Sequence, residues 1–140
     1  MSIRIFYDDT SFRIKRWKKT KTLIGKVISG EAKVLGDLNF ILTTDKNIKE
    51  INIEFLKHNY NTDVISFNYG EENFITGEVY ISIETVTKNA KNYKVSYDLE
   101  LVRVLIHGVL HMCGYRDETS EEKVEMRRME DSWLETFENC

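Results

Sequence analysis

Proline is absent from the sequence, and cysteine occurs only twice, as Cys113 and Cys140. With no proline, no internal repeat and no low-complexity stretch, nothing marks a linker at which the 140 residues would divide. A chain of that length supports one well-buried core, so a single domain over residues 1–140 is expected. One cysteine lies in an apolar helical run and the other ends the chain, which makes neither a disulfide framework nor a paired-thiolate metal motif. Both are expected as reduced thiols. No apolar run approaches the roughly 20 residues of a membrane-spanning helix, and Met1-Ser2-Ile3-Arg4 opens without a signal-peptide core. A cytoplasmic protein with no membrane contact is the expectation.

Apolar residues make up 41% of the chain and charged residues 31%, a balance that suits a packed soluble core and excludes a disordered chain. The net charge of -3 argues against indiscriminate binding of nucleic acid. Its distribution is uneven, however. Arg4, Arg13, Lys15, Arg16, Lys18, Lys19, Lys21, Lys26 and Lys33 crowd the first quarter against Asp8, Asp9 and Glu31, while the stretch from Asp117 to Glu138 is strongly acidic. One basic face can therefore meet phosphate, although solvated helix surface is the better account of most of these charges taken singly. Phe12 and Trp17 interleave with Lys15, Arg16, Lys18 and Lys19. The rings fit the buried side of an amphipathic helix, and the lysines fit RNA backbone contact.

Hydrophobic periodicity orders the chain as β-α-β-α-β-β-α-α-α, an α+β arrangement with strands on one sheet. A first strand at Ile3–Tyr7 precedes a helix using Phe12, Trp17, Leu23, Ile24, Val27 and Ile28, which stops near Gly30. Residues 33–42 read as a second strand, and Asp45 as the N-cap of a helix carrying Ile48, Ile51, Phe55 and Leu56 that breaks at Asn59 to Asn61. Asp63–Tyr69 and Gly77–Ile83 read as a hairpin, followed by helices at about 84–92, 97–113 and 120–137.

The chemistry concentrates in His107-Gly108-Val109-Leu110-His111-Met112-Cys113-Gly114-Tyr115-Arg116-Asp117. Residues four apart lie one above the other on a helix, so the two imidazoles can point at a common atom. Alone, that spacing is a weak signal, since a buried, hydrogen-bonded histidine is the more frequent explanation for either residue. Gly114 adds the second signal, because helices commonly end where glycine takes a left-handed conformation and the chain turns back. The turn can bring Asp117 to His107 and His111, and nitrogen and carboxylate oxygen are both ordinary zinc donors. Three such ligands leave a fourth position for water, so one Zn2+ per chain is expected. In the metzincin protease pattern a glutamate follows the first histidine as general base; Gly108 stands there and accepts no proton, which argues against a protease of that mechanism.

Three motifs taken in order, Asn61-Thr62-Asp63-Val64-Ile65-Ser66-Phe67, Gly77-Glu78-Val79-Tyr80-Ile81-Ser82 and the histidine-glycine segment through Tyr115, resemble the YbeY family of metal-dependent, single-strand endoribonucleases. The likeness runs over nearly the whole chain. It implies a mixed sheet of about four strands flanked by helices, and a role in maturation of the small-subunit (16S) ribosomal RNA 3′ end and in ribosome quality control, with that RNA and the small ribosomal subunit as partners. Asp117 stands where the family usually has a third histidine, Leu56 where it has arginine, Asn61 for its proline and Glu78 for its aspartate. Lys57 and His58 lie beside the missing arginine.

Asp63, Ser66 and Arg116 are the candidate catalytic residues, each with a structural alternative: a turn carboxylate, a solvent-facing strand hydroxyl and an ion pair with Glu118. Cys113, across the helix from His111, is expected in the core. Two other functions share the donor set. One is a ribosome-assembly factor whose metal is structural; the other is a non-haem iron oxygenase, since two histidines and a carboxylate also form that facial triad.

Overall fold

The computed structural model describes residues 1–56 and 64–139. Lys57, His58, the expected helix break at Asn59 to Asn61, Thr62, Asp63 and Cys140 lie outside the described residues.

The elements are β1 (Ser2–Tyr7), α1 (Trp17–Gly30), β2 (Val34–Thr43), α2 (Asp45–Leu56), β3 (Val64–Asn68), β4 (Phe74–Ser82), α3 (Ile83–Tyr93), α4 (Tyr97–Met112) and α5 (Ser120–Glu138). This is the expected order. The four strands form one mixed sheet in the order β1-β2-β4-β3, with β1, β2 and β4 parallel and β3 antiparallel to β4. The hairpin is confirmed, with Ile65 opposite Tyr80. No helix among the described residues is long and apolar enough to cross a membrane.

Strand alternation sets one face of the sheet inward: Leu38, Phe40 and Leu42 of β2 and Ile75, Val79 and Ile81 of β4 are buried. Against that face lies α4, which is apolar nearly all round and so occupies the middle of the molecule, with Leu101, Leu105, Ile106, Val109 and Leu110 wholly buried. Its start is well specified. Ser96 caps it by accepting the Leu99 N–H at 3.2 Å, and Asp98 and Glu100 place negative charge in the first turn, where the helix dipole favours it. Gly108 faces the sheet so closely that a Cβ there would lie 2.7 Å from Val79 Cγ1. The absence of a side chain thus sets how near α4 approaches β4.

Three local expectations are corrected. Phe12 is not in the first helix, which begins at Trp17. The Thr10 hydroxyl accepts the Phe12 N–H, the Ile14 N–H reaches the Tyr7 hydroxyl, and the Phe12 ring packs on Tyr97 at 4.8 Å, so tertiary anchors hold this segment irregular. Thr44, not Asp45, caps α2, accepting the Asn47 N–H at 3.2 Å. The Asp45 carboxylate instead accepts the hydroxyls of Ser82 and Thr85 and ties α2 to the start of α3. Finally, β4 begins at Phe74, because pairing with Val34 of β2 extends it beyond the run read from Gly77.

Candidate metal centre

His107 and His111 lie on the last two turns of α4, and the helix ends immediately after them. Gly114 adopts φ 109°, the Gly114 N–H donates to the His111 carbonyl at 3.0 Å, and the Tyr115 N–H donates to the Leu110 carbonyl at 3.0 Å. That pair of bonds is a Schellman end, which satisfies carbonyls the helix would leave open and reverses the chain. A few residues on, α5 opens with a capping box: the Thr119 hydroxyl accepts the Glu122 N–H while the Glu122 carboxylate accepts the Thr119 N–H. Asp117 sits in the short span between these two fixed structures and is held beside the histidines.

The donors converge. His107 Nε2 lies 2.9 Å from His111 Nε2, and the Asp117 carboxylate oxygens lie 3.4 Å from the first and 3.5 Å from the second. His107, His111 and Asp117 together form a cluster whose ligand atoms lie within 4.8 Å of one another, suited to one metal ion. The outer ring nitrogens bear on whether a cation fits. His107 Nδ1 is 2.7 Å from Glu130 Oε2, and His111 Nδ1 is 3.0 Å from the Tyr115 carbonyl. A carbonyl and a carboxylate only accept, so these partners assign the proton of each neutral ring to Nδ1 and leave the Nε2 lone pairs facing inward. Two lone pairs and a carboxylate directed at one point repel one another unless positive charge lies between them. The residues therefore fit a cation, and one side of the cluster opens on a cleft rather than on protein.

Glu130 was not foreseen from the sequence. It is 4% exposed, a buried acid on the apolar side of α5 in line with Met126 and Leu134, and its other oxygen accepts from Arg103 Nη1 at 3.2 Å. Arg103 in turn reaches Asp131 at 2.9 Å. Tyr115 is likewise fixed from outside, its hydroxyl donating to the Glu31 carboxylate at the end of α1. Burial, then this bond, raises the Tyr115 pKa.

The structure brings Ser66 near the cluster. Its hydroxyl is buried without a hydrogen-bond partner among the described residues, and with His111 and Met112 it lines a cavity of about 310 Å³ between β3 and α4. Arg116 is engaged by an ion pair, donating to Glu118 at 2.7 Å, and that carboxylate raises its pKa further. Cys113 packs against the core, and burial pushes its thiol up to about 11. Trp17 and Phe12 also pack on the core, while Lys15, Lys18 and Lys21 are exposed.

Fold and cluster together define a class: an α+β domain with a two-histidine, one-carboxylate metal site at the end of its central helix. The family model for Endoribonuclease YbeY matches residues 5–138. A protein named Endoribonuclease YbeY from Christiangramia forsetii is 40% identical over 94% of this chain and 92% of its own, and one of that name from Flavobacterium psychrophilum is 42% identical over 94% of each. The solution structure of TM1509 from Thermotoga maritima superposes with a TM-score of 0.66 at 30% identity, covering 97% of this chain and 89% of that one. The chain belongs to the YbeY endoribonuclease family.

Proposed function

We propose that the protein is a zinc-dependent endoribonuclease of the cytoplasm that cuts single-stranded ribosomal RNA, acting in 3′-end maturation of the small-subunit RNA and in ribosome quality control. The observation that carries this reading is the convergence of His107, His111 and Asp117 at the mouth of a cleft, each imidazole held by its own acceptor. The relatives' shared name supplies the RNA.

His107 and His111 would bind the ion through Nε2, and Asp117 through its carboxylate. Bound there, zinc would supply Lewis-acid polarisation of a phosphodiester and a water acidic enough to attack it. Glu130 orients the His107 ring and the Tyr115 carbonyl orients that of His111, so neither ligand must reorganise when the ion binds. Asp117 brings a negative charge that a third imidazole would not, and it would leave water bound to the ion less acidic. The Ser66 hydroxyl, buried with no hydrogen-bond partner among the described residues, is assigned to positioning substrate in the cavity beside His111. Arg116, engaged by Glu118, is assigned to holding the loop that carries Asp117. Asp63 is retained as a catalytic carboxylate on its motif alone, to be tested as Asp63→Asn.

Metal analysis of protein purified without added metal should find one zinc per chain, lost in His111→Ala. Single-stranded RNA should be cut in a reaction that a chelator stops and zinc restores. Cells depleted of the protein should accumulate small-subunit RNA with unprocessed 3′ ends. Iron with oxygen-dependent turnover would instead establish an oxygenase, and a zinc-bound protein that cuts no RNA would establish the structural-metal assembly factor, a reading favoured by Leu56 in the place of the family's arginine.

A further inference from the structure

A second cleft adjoins the metal cluster on the side of α3 and α5. It encloses about 370 Å³, within the range of small-molecule sites (roughly 300–1,000 Å³), and His107 and Asp117 form its inner wall. The carboxylates of its floor are already engaged: Glu130 holds His107 and Arg103, and Glu100 lies 3.6 Å from Arg103. Its outer residues offer a different chemistry. Tyr93, at the end of α3, is 57% exposed, with the Arg127 guanidinium 5.5 Å from its ring centroid. Lys123 lines the same cleft and makes no ion pair among the described residues, and the Asn89 side chain makes no hydrogen bond among them.

An aromatic ring with an open face, two cations and an unused amide, all leading to a metal cluster, match the parts of one nucleotide. The ring offers stacking to a base, the cations offer charge to phosphate, and the amide offers both a donor and an acceptor to a base edge. We infer that this cleft binds the nucleotide next to the scissile phosphodiester, its base stacked on Tyr93 and its phosphate held by Lys123 and Arg127. The inference rests on the endoribonuclease reading and assigns that reading a direction: the RNA runs from the metal cluster outward between α3 and α5. A peptide is a poorer match. The cleft offers two cations and a ring face, but no free sheet edge along which an extended backbone would pair.

Binding measured apart from cleavage tests this. A single-stranded oligonucleotide, 2′-O-methylated throughout and verified by gel electrophoresis to be intact at the end of each measurement, is compared by fluorescence anisotropy with the same backbone lacking its bases, using the zinc-loaded protein. Tyr93→Ala should weaken binding of the base-bearing strand about tenfold, the scale of one stacked base, and leave the baseless strand unaffected. Tyr93→Phe should restore it. Lys123→Ala should weaken both strands and lower the salt dependence by about one phosphate contact. Equal binding of both strands by Tyr93→Ala and by the unsubstituted protein overturns the assignment, and so does an equal loss on both. Cleavage of the unmodified RNA is scored separately: Tyr93-dependent binding by a protein that cuts nothing supports the cleft and removes only the nuclease reading.

Discussion

Replacing Glu130 with glutamine removes one acceptor from a buried position that uses two. In the native protein one carboxylate oxygen lies 2.7 Å from His107 Nδ1 and the other 3.2 Å from Arg103 Nη1. Glutamine matches the shape but has a single carbonyl, so its amide must face either the imidazole N–H or the guanidinium, donor against donor. Partners that orient a ligating histidine are typically worth 10- to 100-fold in metal affinity, or about 1.4–2.7 kcal/mol. The cost to the metal-free fold is smaller than the roughly 3–5 kcal/mol of a fully broken buried pair, because Arg103 keeps Asp131 at 2.9 Å and Glu100 at 3.6 Å. Titration of zinc against a chromophoric chelator gives the affinity directly, and thermal unfolding with and without the ion gives the linked stability. Glu130→Gln should lose 10- to 100-fold in the first, and about the same free energy in the zinc-dependent part of the second. Affinity equal to that of the native protein would refute the orienting role, whatever happened to the melting temperature.

Gly108→Ala should destabilise the fold by about 1–3 kcal/mol in urea unfolding, offset by up to about 1 kcal/mol of helix propensity, because the new methyl meets Val79 Cγ1 at 2.7 Å; a more stable variant would contradict the close approach of α4 to β4. Gly114→Ala meets no steric obstacle but inherits φ 109°, so it should cost at least about 1–2 kcal/mol and weaken zinc binding by loosening the Tyr115 carbonyl, as chelator competition would show. The Cys113 thiol titrates near 11 when folded and near 9.0 when unfolded, so its contribution to stability is complete below pH 9 and is lost as pH rises toward 11, where the unfolded thiol has already ionised. Cys113→Ala should therefore flatten the alkaline fall in stability, and peptide-resolved labelling with iodoacetamide at pH 8 should be slow at Cys113 until the protein is unfolded.

The element order was legible because the apolar periods are strong and the connections short, and the hairpin because β3 and β4 alternate on either side of a polar turn. Phe12 was misplaced for a reason no periodicity shows: its ring is held by Tyr97, far along the chain. Thr44 was passed over for Asp45 because both cap helices well, and only the fold reveals that Asp45 serves the hydroxyls of Ser82 and Thr85. The donor cluster could be read because all three residues fall on one helical stripe and the turn after it. Glu130 left a fainter trace, an acid amid the apolar stripe of α5, which a sequence crowded with surface glutamates conceals.

Because His107, His111 and Asp117 share one short stretch of chain, assembling the donors demands little loop closure, and among the described residues the sheet contributes no donor to the cluster. The third donor lies outside both α4 and the sheet, so a substitution there should alter the charge offered to an ion while α4, its glycine turn and Glu130 stay as they are. If an ion binds as proposed, the aspartate at position 117 sets the reactivity of the site through one side chain, from a turn outside the helices and strands.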